Sequence, residues 1–246
     1  LVGRAPPVAS CIWTHARFWY DHWQTATSVP PCLSACREEG VREVFFTMWG
    51  DGGGYCEYDS ALAGLAFAAD LAYGAKGEPS SLVPLFAAVC DGDYASQLIP
   101  SGLHIRPDGE KPHIATSTMM WDDPLFGIGW REYLAAAPDT WELALTALRT
   151  MRDDLAPLAE NVNPGDLGHA WNICDLLIKK LQFRDALVTA YLDNDRAVLQ
   201  RLCQCDIPGI IEALKAVKKS FRRQWLRRNK PFGMEVVQIR FAGQIT

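Results

Sequence analysis

The chain lacks several features that would settle its class at once. No apolar run approaches the ~20 residues needed to span a bilayer, so no membrane partner is expected. No His-x3-His pair occurs, and the five histidines at 15, 22, 104, 113 and 169 are scattered. Eight cysteines are present, but Cys32-x3-Cys36 and Cys203-x-Cys205 lack the paired C-x2-C spacing of a zinc ribbon. No metal site and no cofactor is therefore expected. Cys11, Cys56, Cys90 and Cys174 lie in apolar or helical contexts, where a thiol behaves as a small buried hydrophobe. Reduced cysteines point to a reducing compartment, and the expected localisation is cytoplasmic. Leu1 is not an initiator Met, so the chain is expected to begin at an internal or processed position, with a lost targeting segment left open. A positive excess is missing too: the net charge of −5 disfavours nonspecific nucleic-acid binding.

What is present is an ordinary globular composition, 49% apolar and 22% charged, with one unusual stretch. Val44-Phe-Phe-Thr-Met-Trp-Gly-Asp-Gly-Gly-Gly-Tyr-Cys-Glu57 is a short β-leaning run that ends in a Trp, an Asp and three glycines. Such a run reads as a buried strand of a parallel sheet. The glycines allow a sharp turn and close approach to a ligand. They do not form a phosphate cradle, because no Gly-Lys-Ser/Thr follows. Trp49 and Asp51 stand where the strand runs out, the ligand end in α/β folds. An indole beside a carboxylate suits a sugar, stacking on its C–H face and accepting its hydroxyl protons. A buried Trp above a plain glycine turn is the alternative.

Four motifs, in order, carry a resemblance to a known family. They are Ile12-Trp-Thr-His-Ala-Arg-Phe18, Thr47-Met-Trp-Gly-Asp-Gly-Gly-Gly-Tyr55 with the helix behind it, Trp121-Asp-Asp-Pro-Leu-Phe-Gly127, and Trp225 with Asn229-Lys-Pro-Phe-Gly233 and Ile239-Arg240. Together they resemble the C-terminal part of a branch of glycoside hydrolase family 20, the β-N-acetylhexosaminidases. The resemblance implies the last βα units of a TIM-type (β/α)8 barrel, an α/β architecture, followed by a mainly α-helical domain. The expected division is 1–75 for the barrel units and 76–246 for a helical bundle with a short terminal strand.

The element pattern is compatible with this. Strands are expected near 8–14 and 43–49, with a helix from about Pro31 to Glu39 between them and Gly40 as its stop. Ser60 is expected to cap a helix from Ala61 to Tyr73. Gly74 to Ser81 reads as a loop, and Asp91 to Met119 as irregular. Apolar residues at helical spacing then predict helices after the capping box Asp139-x-x-Glu142, after Asn163-Pro164, and after Asp206. Glu235 to Phe241 alternates weakly and reads as a terminal strand. The last long helix carries eight basic residues and no acidic one between Ala213 and Met234, which reads as a solvated or subunit-facing surface.

The family chemistry is retaining exo-hydrolysis of terminal β-linked N-acetylglucosamine or N-acetylgalactosamine, with the substrate's own acetamide as nucleophile. An Asp orients the acetamide and the next residue, a Glu, protonates the leaving oxygen. No Asp-Glu dipeptide occurs in this chain, so the catalytic pair is expected upstream of Leu1 and the chain alone is expected to be inactive. By resemblance, Trp13, Trp49, Asp51 and Tyr55 would line part of the sugar pocket. The motif departs from the family pattern at two positions: Gly52 follows Asp51 where an Asp or Asn is usual, and Tyr55 stands where the family has a Glu. The expected partners are a terminal N-acetylhexosamine glycan and either the upstream barrel half or further copies of the chain. A non-hydrolytic carbohydrate-binding or assembly module is the competing reading.

Overall fold

The computed structural model describes residues 6–51, 53–74, 76–104, 115–123, 125, 127 and 140–246. It divides into two compact units, Leu1–Ser101 with Asn161–Asp166, and Gly102–Glu160 with Leu167–Thr246. Each is mostly helical, and the sheet found among the described residues has two strands.

The first unit runs β1 (Val8–Cys11), α1 (His22–Glu38), β2 (Val44–Thr47), a 3-10 turn (Tyr58–Ser60), α2 (Ala61–Ala72), α3 (Pro79–Cys90) and α4 (Tyr94–Leu98). The strands pair in parallel, from Val8 opposite Val44 to Cys11 opposite Thr47, with α1 as the crossover. Both strands are shorter than the sequence suggested. The side chains of Val44 and Phe46 are partly covered, whereas Ala9 and Phe45, opposite one another in the register, are exposed.

Helix α1 begins at His22, nine residues before the expected Pro31. The Asp21 carboxylate caps it by accepting the Gln24 N–H at 3.0 Å, and Pro30 and Pro31 lie inside the helix. Thr25, Val29, Leu33 and Cys36 recur at spacings of three and four and are all buried, so one packed face carries the helix through two residues that cannot donate. Ser60 is also used differently: it makes no cap bond, and its hydroxyl accepts the Tyr20 N–H at 3.0 Å. Helix α2 presents Gly64 to the segment just past β1, where a Cβ would stand 2.7 Å from Ile12 Cγ2. The loop expected at Gly74 to Ser81 is already helical from Pro79. Within the stretch read as irregular, Asp93 caps α4 through the Ser96 N–H at 2.9 Å.

The second unit holds α5 (Ala115–Trp121), α6 (Thr140–Leu155), α7 (Leu167–Leu192), α8 (Arg196–Arg201), α9 (Ile207–Arg228) and α10 (Met234–Ile245). A wider turn at Leu202–Asp206 joins α8 to α9. The capping-box residue Asp139 lies outside the described residues. Helix α7 is the centre, packed against α6 and α9, with α10 on α9. Its Ile173, Leu177 and Leu181 meet a core that includes Leu148, Val217, Phe221 and Phe241, none more than 1% exposed.

The C-terminal segment corrects the sequence reading: Glu235 to Phe241 lies within α10 and is not a strand. Met234, Val237 and Phe241 are its buried residues, a three-then-four spacing that only a helix turns to one side. Phe241 packs against Phe221 and Trp121, with ring centroids 6.0 and 5.1 Å away.

Two buried polar links tie the second unit together. His169 Nδ1 of α7 and the Ser220 hydroxyl of α9 share a hydrogen bond of 2.8 Å. Lys180 of α7 donates to the carbonyls of Met120 (2.7 Å) and Asp122 (3.1 Å) and to Gln244 Oε1 (3.1 Å). Its amine thereby satisfies carbonyls at the C-terminal end of α5. Among the described residues no helix is long and apolar enough to cross a membrane.

Candidate functional site

The C-terminal ends of β1 and β2 lie side by side, as the parallel register requires. Beyond β1 the chain passes Ile12, fully buried, then Trp13, His15 and Arg17. Beyond β2 it passes Trp49, Gly50 and Asp51. Two hydrogen bonds join these segments: the Thr14 hydroxyl donates to the Trp49 carbonyl at 2.9 Å, and the Ala16 N–H to the Asp51 carbonyl at 3.3 Å. Ala16 sits at φ 53°, which turns the β1 loop towards its neighbour.

The four residues singled out from the sequence occupy different environments. Trp49 is 54% exposed and Asp51 is exposed, so both meet solvent at the strand ends. Trp13 is half-buried; its indole N–H donates to the Ser28 hydroxyl of α1 at 3.1 Å. Its ring also stands 4.6 Å from that of His15. Tyr55 is only 4% exposed, with its ring 4.6 Å from Phe18. The acids expected near Asp51 separate from it in environment, since Glu57 and Asp59 are 2% and 9% exposed.

Several neighbours were not singled out from the sequence. His15 lies within the field of Asp51 and Asp21. Burial and the Arg17 guanidinium hold its imidazole below the usual pKa, against the opposing pull of those two carboxylates. Among the described residues its buried Nδ1 has no hydrogen-bond partner. Arg17 and Asp21 form a buried ion pair at 3.4 Å. The Asp21 N–H also donates to the Trp13 carbonyl at 2.8 Å, which fixes the loop that carries Trp13 and His15. The Tyr58 phenol lies so close to Gly50 that a Cβ there would stand 2.4 Å from its hydroxyl oxygen. Burial, then Cys56 and Asp51, raise the Tyr58 pKa, so it is a neutral donor beside the Asp51 loop at ordinary pH. The i, i+4 spacing of Arg17 and Asp21 was no signal for the pair, because this segment is a loop and not a helix. Nothing in the sequence pattern marks His15 or Tyr58.

The remaining titratable groups do not suggest separate chemistry. All eight cysteines are free thiols, and burial raises the pKa of Cys56 and Cys174 far above the usual thiol range. Among the described residues no group of three or more His, Cys, Asp or Glu side chains is placed to hold a metal ion.

A parallel β-α-β segment is followed in sequence by a bundle of helices. The helical part identifies the family. The Glycoside Hydrolase 20C C-terminal domain matches residues 105–246, more than half of the chain and nearly the whole of the second unit. The chain belongs to that family. Among curated proteins no match is found.

Proposed function

We propose that this chain is the C-terminal portion of a retaining exo-β-N-acetylhexosaminidase that releases terminal β-linked N-acetylglucosamine or N-acetylgalactosamine by substrate-assisted catalysis. In this reading β1, α1, β2 and α2 are the last βα units of a (β/α)8 barrel. The catalytic Asp-Glu pair belongs to the barrel segment ahead of Leu1, and this chain supplies part of the sugar pocket.

The observation that carries the proposal is the exposed Trp49–Asp51 pair at the C-terminal end of a strand within a parallel β-α-β unit. That is the end at which barrel enzymes bind substrate. An exposed indole offers a flat apolar face for the C–H side of a pyranose, and the adjacent carboxylate accepts hydroxyl protons. His15, whose ring stacks beside that of Trp13, and the Tyr58 phenol are polar groups in the same strand-end region. Membership of the family adds support.

The sheet itself argues for a missing complement. Each strand has one neighbour among the described residues, and Phe45 is 52% exposed on the uncovered side. A barrel would pair both edges and fill that side with layers of side chains. The proposed occupant is the upstream barrel half, with packing between copies as the alternative. Static light scattering on the chain would register such association.

One observation favours a second reading. Tyr55, at the position of the family's sugar-binding Glu, is turned into the core against Phe18. A site without that acid suits a non-hydrolytic carbohydrate-binding or assembly module. The deciding experiment is an assay of a full-length form on 4-nitrophenyl N-acetylglucosaminide. Turnover supports the hydrolase, whereas sugar binding without turnover supports the module.

A further inference from the structure

Helix α9 buries Val217, Ser220, Phe221 and Gln224 and carries Lys215, Lys218, Lys219, Arg222 and Arg223. At roughly 100° per residue the five cations span roughly 140° of arc, centred directly opposite the buried side. Lys215, Lys219, Arg222 and Arg223 are exposed, and Lys218 is half-buried. The charge is local. Ala213 to Met234 holds eight basic residues and no acidic one, which leaves 16 basic against 29 acidic residues elsewhere.

Helix physics explains part of this. Arg227 and Arg228 sit in the last turn, where the partial negative charge of the free carbonyls favours cations. The stripe that starts at Lys215 lies more than two turns into the helix and is not explained that way. Spacings of three and four residues set its like charges side by side, where they repel. Glu212 offsets Lys215 at the N-terminal end, at 2.7 Å. Lys218, Lys219 and Arg222 have no ion-pair partner among the described residues.

We infer that this face of α9 docks a linear polyanion, specifically an acidic glycan with repeated carboxylate or sulfate groups. The cations follow the helix axis for about 12 Å, at ~1.5 Å per residue, and do not converge on one point. A single anion would meet one or two of them, whereas a chain of anions meets the whole row. Nucleic acid is the poorer fit. The aromatic residues of α9 do not form an exposed stacking row: Phe221 is 1% exposed, and Trp225 is half-buried and packed on it, with ring centroids 5.8 Å apart. The preference for glycan rests on the carbohydrate function proposed above, while the charge row stands without it.

The test is calorimetric titration of the 246-residue chain with four probes: a polygalacturonate oligomer, a heparin oligosaccharide, a neutral chitin tetrasaccharide, and single-stranded DNA of equal charge. Both acidic glycans should bind at low salt, more tightly than the DNA, and the neutral sugar should show no comparable salt dependence. The variant Lys215→Gln/Lys219→Gln/Arg222→Gln should lose tenfold or more in affinity, with a log K against log salt slope shallower by about two units. All three positions are exposed, so circular dichroism should show an intact fold; if it does not, the single variant Lys219→Glu replaces it. Absence of acidic-glycan binding, equal binding by the variant, or tighter binding of the DNA would each overturn the inference. Binding is read without turnover, so failure of the hydrolase proposal would leave this result intact.

Discussion

The hydroxyl of Thr14, just past β1, donates to the main-chain carbonyl of Trp49, just past β2, at 2.9 Å. The bond spans 35 residues of sequence and closes the two strand ends on each other. With the Ala16–Asp51 bond beside it, Trp49 is held through its backbone while its indole stays in solvent. The backbone that carries the ring is thereby preorganised, so that only the indole's own rotamer freedom remains to be lost on binding.

Thr14→Val keeps the shape and removes the donor. The Trp49 carbonyl then loses its protein partner, at a cost of about 1 kcal/mol in folding stability. The denaturation midpoint should fall accordingly, and in a full-length form affinity for N-acetylhexosamine should fall with it. Equal midpoints for the two proteins would show that the bond is incidental.

Trp49→Ala separates recognition from packing. The side chain is more than half exposed, so stability should change by no more than about 0.5 kcal/mol. Loss of the stacking face should weaken sugar binding in the full-length form by about 1.5 kcal/mol, roughly tenfold. A large stability loss with unchanged affinity would make Trp49 a packing residue.

Glycine positions offer a paired test of the packing. Gly64→Val pushes methyl groups into Ile12 and Tyr20, both fully buried, and should destabilise by about 1–3 kcal/mol. Gly209→Ala in α9 meets nothing within 4 Å and should stabilise by up to ~1 kcal/mol through helix propensity. Thermal unfolding of the two variants distinguishes them by sign.

Lys180 gives the second unit a pH signature. Burial lowers its pKa to about 7, against the smaller pull of Asp122 and Asp123. Between that value and the ordinary lysine range the unfolded chain binds the extra proton. Stability from this group therefore rises as pH increases above about 7. The buried thiols Cys56 and Cys174, with raised pKa values, act oppositely only once unfolded thiols ionise, near pH 9. Between pH 7 and 8.5 the melting temperature of the native chain should rise relative to that of Lys180→Met. Parallel curves would place the proton elsewhere.

Much of the fold was legible because local pattern and packing agree. The β-rich run before the glycines gave β2, and three-to-four spacing gave α6, α7 and α9. The failures share a cause, a local signal outweighed by burial. Pro30-Pro31 suggested a helix start, but a capped and buried stripe carries α1 through them. The weak alternation of Glu235 to Phe241 suggested a strand, but only three of the residues of α10 are buried, and they lie one helical turn apart. The exposed strand-end placement of Trp49 and Asp51 was legible from motif and turn. The inward position of Tyr55 was not, because it depends on Phe18, 37 positions earlier in the chain. Lys180 was invisible for a similar reason: its partners are Met120 of α5, Asp122 just past it, and Gln244 of α10, all about 60 positions away.

The central claim is that this chain shapes a sugar pocket whose acid catalyst lies elsewhere in the protein. The most direct measurement is release of 4-nitrophenol from 4-nitrophenyl N-acetylglucosaminide, by the purified 246-residue chain and by a full-length form in parallel. The account expects turnover from the full-length form, lowered by Trp49→Ala, and none from the chain alone. Turnover by the chain alone that is abolished by mutating Asp51 or Asp122 would contradict it.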